Sequence, residues 1–134
     1  MANKRRVLLV DDEPGIVKVV SKRLEHAGFD VMVAMDGQDA LTKARLGHPD
    51  VILLDLMLPK MSGLEVCAAL KQDEQYRKIP IIIFTGKGDA MDEKLCREVG
   101  AEAFITKPQG SKALLEQIEI LLARIVGPGS SKSG

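Results

Sequence analysis

Two hydrophobic periods take turns along this chain. Short, nearly continuous apolar runs alternate with longer stretches whose apolar residues recur every three or four positions. The first kind suits strands buried on both faces, the second amphipathic helices. The first strand is expected over Arg5–Val10, and the helix after it opens at Pro14 and runs to about Ala27, with Val17, Val20, Leu24 and Ala27 on one face. Pro14 suits a first helical turn and Gly28 a left-handed stop after the last one. A second strand follows over Asp30–Ala34. Asp36 is placed to cap a helix bearing Ala40, Leu41 and Ala44, which Gly47 ends. The third strand, Val51–Leu54, is the most uniformly apolar. Ser62 with Glu65 three residues on is a capping box for a third helix that turns Leu64, Cys67 and Leu70 inward. Residues 72–78 read as a polar loop and Ile79–Phe84 as the fourth strand. Asp89 then caps a helix bearing Met91, Leu95 and Val99, closed by Gly100. Ala101–Ile105 is the fifth strand, and a last helix from Ser111 aligns Leu114, Ile118, Leu121, Leu122 and Ile125.

Five strands alternating with five helices predict a doubly wound α/β sandwich. Right-handed crossovers leave few strand orders, and the flavodoxin-like order 2-1-3-4-5 puts strands one, three and four side by side. One domain over 4–126 accounts for nearly all of the 134 residues. Residues 127–134 hold glycine, serine, proline and lysine, so they are expected to be a disordered tail or linker stub.

Composition narrows the function by exclusion. Lysine plus arginine and aspartate plus glutamate stand at 19 each, so the basic excess that draws a chain to nucleic acid is missing. No apolar run is long enough for a membrane span and no signal peptide is apparent, which points to the cytoplasm. Cys67 and Cys96 lack metal-site spacing and lie on apolar helix faces, which suits buried free thiols. His26 and His48 stand near helix ends without a partner motif and read as surface residues.

The chemistry gathers at strand ends. An ionised carboxylate inside the third strand would cost several kcal/mol or more (about) unless compensated, so Asp55 belongs at its carboxyl end. Open α/β sheets place their ligand crevice there. In the predicted order the first strand delivers Asp11 and Asp12 to the same crevice, the fourth Thr85 and the fifth Lys107. Each part has an ordinary reading alone: an acidic run starts helices, a threonine ends strands, and a lysine before proline is solvated. Together, three close carboxylates favour a cation, and all-oxygen ligation suits Mg²⁺ or Mn²⁺ better than zinc. A metal beside one lysine makes a hole for an oxyanion such as a phosphoryl group.

Four segments carry a resemblance: LLVDDEP at Leu8–Pro14, LLDLMLPKMSG at Leu53–Gly63, FTGKG at Phe84–Gly88 and AFITKP at Ala103–Pro108. The chain resembles the receiver domains of two-component response regulators over about Lys4–Val126. That resemblance implies a switch rather than an enzyme acting on a separate substrate. Asp55 is the implied phosphoacceptor, taking a phosphoryl group from a phosphohistidine of a sensor histidine kinase or phosphotransfer protein, and the domain assists its own phosphorylation and slow dephosphorylation. Asp12 and Asp55 are implied direct Mg²⁺ ligands, with Asp11 through water and the Met57 backbone carbonyl as another. Lys107 is implied to pair with a phosphoryl oxygen. Thr85 is implied to bond another, with Phe104 following it inward and changing the face made by the fourth helix, fifth strand and fifth helix. A downstream protein or output domain outside this chain reads that face, and a phosphorylation-dependent homodimer is compatible with it.

Gly86 is small as the family prefers, whereas Gln109 stands where an apolar or aromatic residue is usual. Met57 and Lys87 flank the crevice at variable positions, where they are expected to tune acyl-phosphate hydrolysis. A haloacid dehalogenase-type phosphohydrolase also uses an aspartyl phosphate. It needs a second carboxylate two residues on, and this chain has Met57 there. A phosphorylation-independent scaffold on the same fold is the nearer alternative.

Overall fold

A computed structural model describes residues 4–86, 90–106 and 110–133, without the side chains of 110, 111, 113 and 125–133. The chain forms β1 (Arg6–Val10), α1 (Pro14–His26), β2 (Asp30–Ala34), α2 (Gly37–Gly47), β3 (Val51–Leu54), α3 (Gly63–Lys71), β4 (Ile81–Thr85), α4 (Ala90–Glu98), β5 (Ala103–Thr106) and α5 (Gly110–Ser133). The strands make one parallel sheet of order β2-β1-β3-β4-β5, as expected.

Side-chain parity along the strands splits the core in two. Val7, Leu9, Val51, Leu53, Ile82 and Phe84 join Val20 and Leu24 of α1 and Leu114 and Ile118 of α5 on one face. Leu8, Val10, Ile52, Leu54, Ile81 and Ile83 join Ala40 and Ala44 of α2, Val66, Cys67 and Leu70 of α3, and Cys96 of α4 on the other. All of β3 is buried, as suits a central strand covered on both sides.

Local chemistry sets most element ends. Ser62 Oγ accepts from the Glu65 N–H at 3.2 Å while Glu65 Oε1 accepts from the Ser62 N–H at 3.0 Å, completing the predicted capping box. Asp36 Oδ1 accepts from the Asp39 N–H at 2.7 Å and caps α2. That bond, with the Lys60 charge adding to it, holds the Asp36 carboxyl below its ordinary range. After α1, the Gly28 N–H donates to Glu25 and the Phe29 N–H to Leu24, with Gly28 at φ +96°. These are the two bonds of a Schellman stop. Gly100, at φ +110°, repeats it after α4.

Some element boundaries fall elsewhere than the sequence suggests. β4 starts at Ile81 because Pro80 has no N–H to give the ladder. β5 starts at Ala103 because Ala101 still belongs to the turn that closes α4, its N–H donating to the Cys96 carbonyl. The left-handed residue after α2 is His48, at φ +47°, rather than Gly47. Gly47 instead lets the Met32 side chain approach, since a β-carbon there would lie 2.6 Å from the Met32 sulfur. α4 turns Cys96 inward, as expected of a buried thiol, and leaves Met91 60% and Leu95 39% exposed. α5 continues to Ser133, through the stretch expected to be a disordered tail. Ile125, expected on the α5 stripe, is outside the described side chains, and the predicted cap Asp89 is outside the described residues.

At the end of the sheet opposite the strand tips, Lys71 Nζ donates to the Arg77 carbonyl at 3.0 Å, the Ile79 carbonyl at 2.8 Å and Glu102 Oε2 at 2.8 Å. Glu102 Oε1 accepts from the Ile81 N–H at 2.8 Å. One lysine and one glutamate thus tie α3 to the starts of β4 and β5. Glu102→Ala leaves both the Lys71 ammonium and the Ile81 N–H short of an acceptor. It is expected to lower unfolding stability by about 2 kcal/mol in urea titration.

Burial pushes the Cys67 thiol up from an ordinary 9.0 to about 12. Cys96 moves the same way, chiefly by burial and then by the charges of Asp92 and Glu93. Cys67 is therefore expected to resist alkylation at pH 8 until the chain is unfolded. Below pH 9 both states keep the Cys67 proton. From there towards pH 12 the unfolded chain releases it and the native chain does not, so stability falls as pH rises. Denaturation midpoints across that window should fall less steeply in Cys67→Ala.

Candidate functional site

Register brings the acids together. Val10 pairs with Leu54 in the ladder, and the Asp55 N–H donates to the Val10 carbonyl at 3.0 Å. Asp11 and Asp55 are therefore neighbours one step beyond the last paired residues. The Asp11 N–H is taken by Ala34 of β2 at 3.0 Å, which fixes the end of β1. Asp11 Oδ1 accepts from the Glu13 N–H at 3.0 Å, turning the chain into α1. That bend brings Asp12 alongside. One carboxylate oxygen from each of Asp11, Asp12 and Asp55 lies within 4.8 Å of the other two. Asp11 is 1% exposed, Asp55 is 4% exposed, and Asp12 faces solvent.

Such a set is electrostatically costly by itself. Carboxylates this close repel, and the two buried ones have given up much of their hydration. The arrangement fits a hard divalent cation: three oxygen donors converge, one of them at an open edge where water would complete the shell. There is no sulfur or imidazole among these three donors to favour zinc.

The turn after β3 is shaped by glycine. The Gly63 N–H donates to the Leu56 carbonyl at 2.9 Å, and a β-carbon on Gly63 would overlap the Asp55 carbonyl oxygen. Met57 stands 67% exposed beside the crevice, and its N–H reaches towards Asp55 Oδ1 at 3.4 Å, a long contact.

Thr85 ends β4 and is buried, and Gly86 after it is exposed. Phe104 pairs in register with Ile83 and is half-buried against the α2–α4 side of the core. By strand parity Thr85 shares that side with Ile83. Lys107, Lys87 and Gln109 lie outside the described residues. The sequence reading missed Lys60, whose ammonium pairs with Asp36 at 3.5 Å across the outside of the site. A lysine inside a Pro-Lys-Met turn carries no signal of a partner on another helix.

Among the described residues, no helix is long and apolar enough to cross a membrane. The family model of the response regulator receiver domain matches residues 7–119. The alkaline phosphatase synthesis transcriptional regulatory protein PhoP of Bacillus subtilis is 41% identical over 128 residues, 94% of this chain and 52% of the relative. The DNA-binding dual master transcriptional regulator RpaA of Synechocystis is 40% identical over 119 residues, 89% of this chain and 49% of the relative. The chain thus spans about half the length of the curated relatives it matches. Among solved structures, the chemotaxis response regulator CheY4 of Vibrio cholerae aligns with a TM-score of 0.82 at 34% identity, over 89% of this chain and 99% of that one. A CheY-like receiver domain protein from Methanospirillum hungatei gives a TM-score of 0.86 at 27% identity, over 98% of this chain and all of that one (100%).

Proposed function

The chain belongs to the response regulator receiver domain family, and on that premise we propose that it is a phosphoacceptor switch with Asp55 as the acceptor. The observation that carries this reading is the convergence of Asp11, Asp12 and Asp55 at adjoining strand tips. In the proposed reaction an Asp55 carboxylate oxygen attacks the phosphorus of a phosphohistidine on a sensor kinase or phosphotransfer protein. A carbon–oxygen–phosphorus linkage forms as the phosphorus–nitrogen bond breaks, and the histidine nitrogen leaves with the bonding pair. Asp12 and Asp55 would hold Mg²⁺ directly, with Asp11 through water and the Met57 carbonyl as a further ligand. When bound, the ion supplies charge neutralisation between two anions that must approach and a fixed orientation for in-line displacement.

Lys107 is assigned to a phosphoryl oxygen on the family resemblance. The Thr85 hydroxyl bonds another, and Phe104 moves inward on the same side of the sheet. The α4–β5–α5 face thereby changes for a downstream protein or an output domain. The protein works in the cytoplasm, where its kinase and target can reach it. The test is intact mass after incubation with acetyl phosphate and Mg²⁺. A gain of one phosphoryl group is expected. No gain, with the protein folded, points instead to a phosphorylation-independent scaffold.

A further inference from the structure

The turn that carries Asp55 into α3 rests on the first turn of α2. The Gly37 N–H donates to the Pro59 carbonyl at 3.3 Å, and the Met61 N–H donates to the same oxygen at 2.7 Å. Gly37 is buried, and a β-carbon on it would overlap the Met61 carbonyl oxygen and come within 2.6 Å of the Met61 β-carbon. The two backbones therefore touch with no room for a side chain. Lys60, between those residues, adopts φ +69°, a left-handed conformation costly for a lysine. Its ammonium reaches back 3.5 Å to Asp36 Oδ2, while Asp36 Oδ1 caps α2. The strained turn is thus held at its outer edge by one helix and closed at its base by the Gly63 N–H on Leu56.

We infer that Asp36, Gly37 and Lys60 are positioning residues for the metal site: α2's first turn is a seat that sets where the turn after β3 presents Asp55 and its backbone to a divalent cation. This rests on the reading of the acidic cluster given above. None of the three belongs to the acidic cluster, so they act through the turn. Outer partners of metal ligands commonly account for 10- to 100-fold in affinity (roughly).

The experiment is calorimetric titration of Mg²⁺ into the unphosphorylated protein. Gly37→Ala is expected to bind about tenfold more weakly or worse. Asp36→Asn keeps a competent cap but loses the ion pair, and should bind roughly two- to fivefold more weakly. Lys60→Met should weaken binding by a similar factor, and the double variant no further than either single one. The sign for Lys60→Met is decisive. Removing a positive charge near a cation site strengthens binding through long-range charge alone, whereas a lost seat weakens it. Lys60→Arg restores the pair and should bind as wild type does. If Gly37→Ala fails to fold, the Asp36–Lys60 cycle decides. Wild-type affinity in Asp36→Asn, or tighter binding in Lys60→Met, overturns the inference alone. Absence of Mg²⁺ binding in wild type overturns the site reading and this inference with it.

Discussion

Asp55→Asn is expected to take up no phosphoryl group from acetyl phosphate and to unfold at a higher denaturant concentration than wild type when Mg²⁺ is withheld. Loss of uptake alone would be ambiguous, since a buried residue is also a structural one. The stability half of the prediction removes that ambiguity. Asp55 is 4% exposed and shares a space of 4.8 Å with two other carboxylates. Asparagine has nearly the same shape and ends the like-charge repulsion. A gain of about 1 kcal/mol is the scale for charges at this distance beside screening solvent. Adding Mg²⁺ should reverse the order, because the ion stabilises the native state in proportion to its affinity and the variant has lost a ligand. A destabilised Asp55→Asn without Mg²⁺ would mean that the carboxylate charge gains more from its partners than it loses to Asp11 and Asp12.

Gly63→Ala is expected to cost about 3 kcal/mol of stability and to impair the site together with the fold. Alanine is ordinarily a better helix former than glycine, so an exposed Gly→Ala at a helix start would be neutral or favourable. Here the added methyl overlaps the Asp55 carbonyl oxygen and lies 2.9 Å from both the Asp55 carbonyl carbon and the Leu56 α-carbon. Backbone has to move, and the backbone in question carries the proposed phosphoacceptor. Chemical denaturation gives the stability loss, and Mg²⁺ titration of the remaining folded fraction gives weakened binding. Wild-type values in both would show that the turn adapts without disturbing Asp55.

The strands and the acidic site were legible for the same reason. Apolar runs such as Val51–Leu54 leave only one place for the charge that follows, namely the strand end. Once the strand order is set, parallel register puts Asp11 beside Asp55. The capping box at Ser62 and the stop at Gly28 were legible because their hydrogen bonds are local in sequence. What escaped depended on distant partners. Lys71 and Glu102 are 31 residues apart, and nothing near either announces the other. Lys60 finds Asp36 only because α2 abuts the turn after β3. On α4 the inward Cys96 was legible as a thiol on an apolar face, whereas nine residues hold too few apolar positions to bring Met91 and Leu95 inward with it. The start of β4 turned on the N–H missing at Pro80, and that of β5 on the turn that Ala101 completes after α4.

If clustered strand-tip acids, with a divalent cation, make one of their number phosphorylatable, the phosphoryl group sits on Asp55 and its arrival needs the metal. Locating that group decides the matter. The protein is treated with acetyl phosphate, with Mg²⁺ or with EDTA, and the acyl phosphate is reduced with borohydride before peptide mapping. A reduced side chain is expected at position 55, formed with Mg²⁺ and all but absent with EDTA. Modification at another residue, or equal modification at position 55 without the metal, would contradict it.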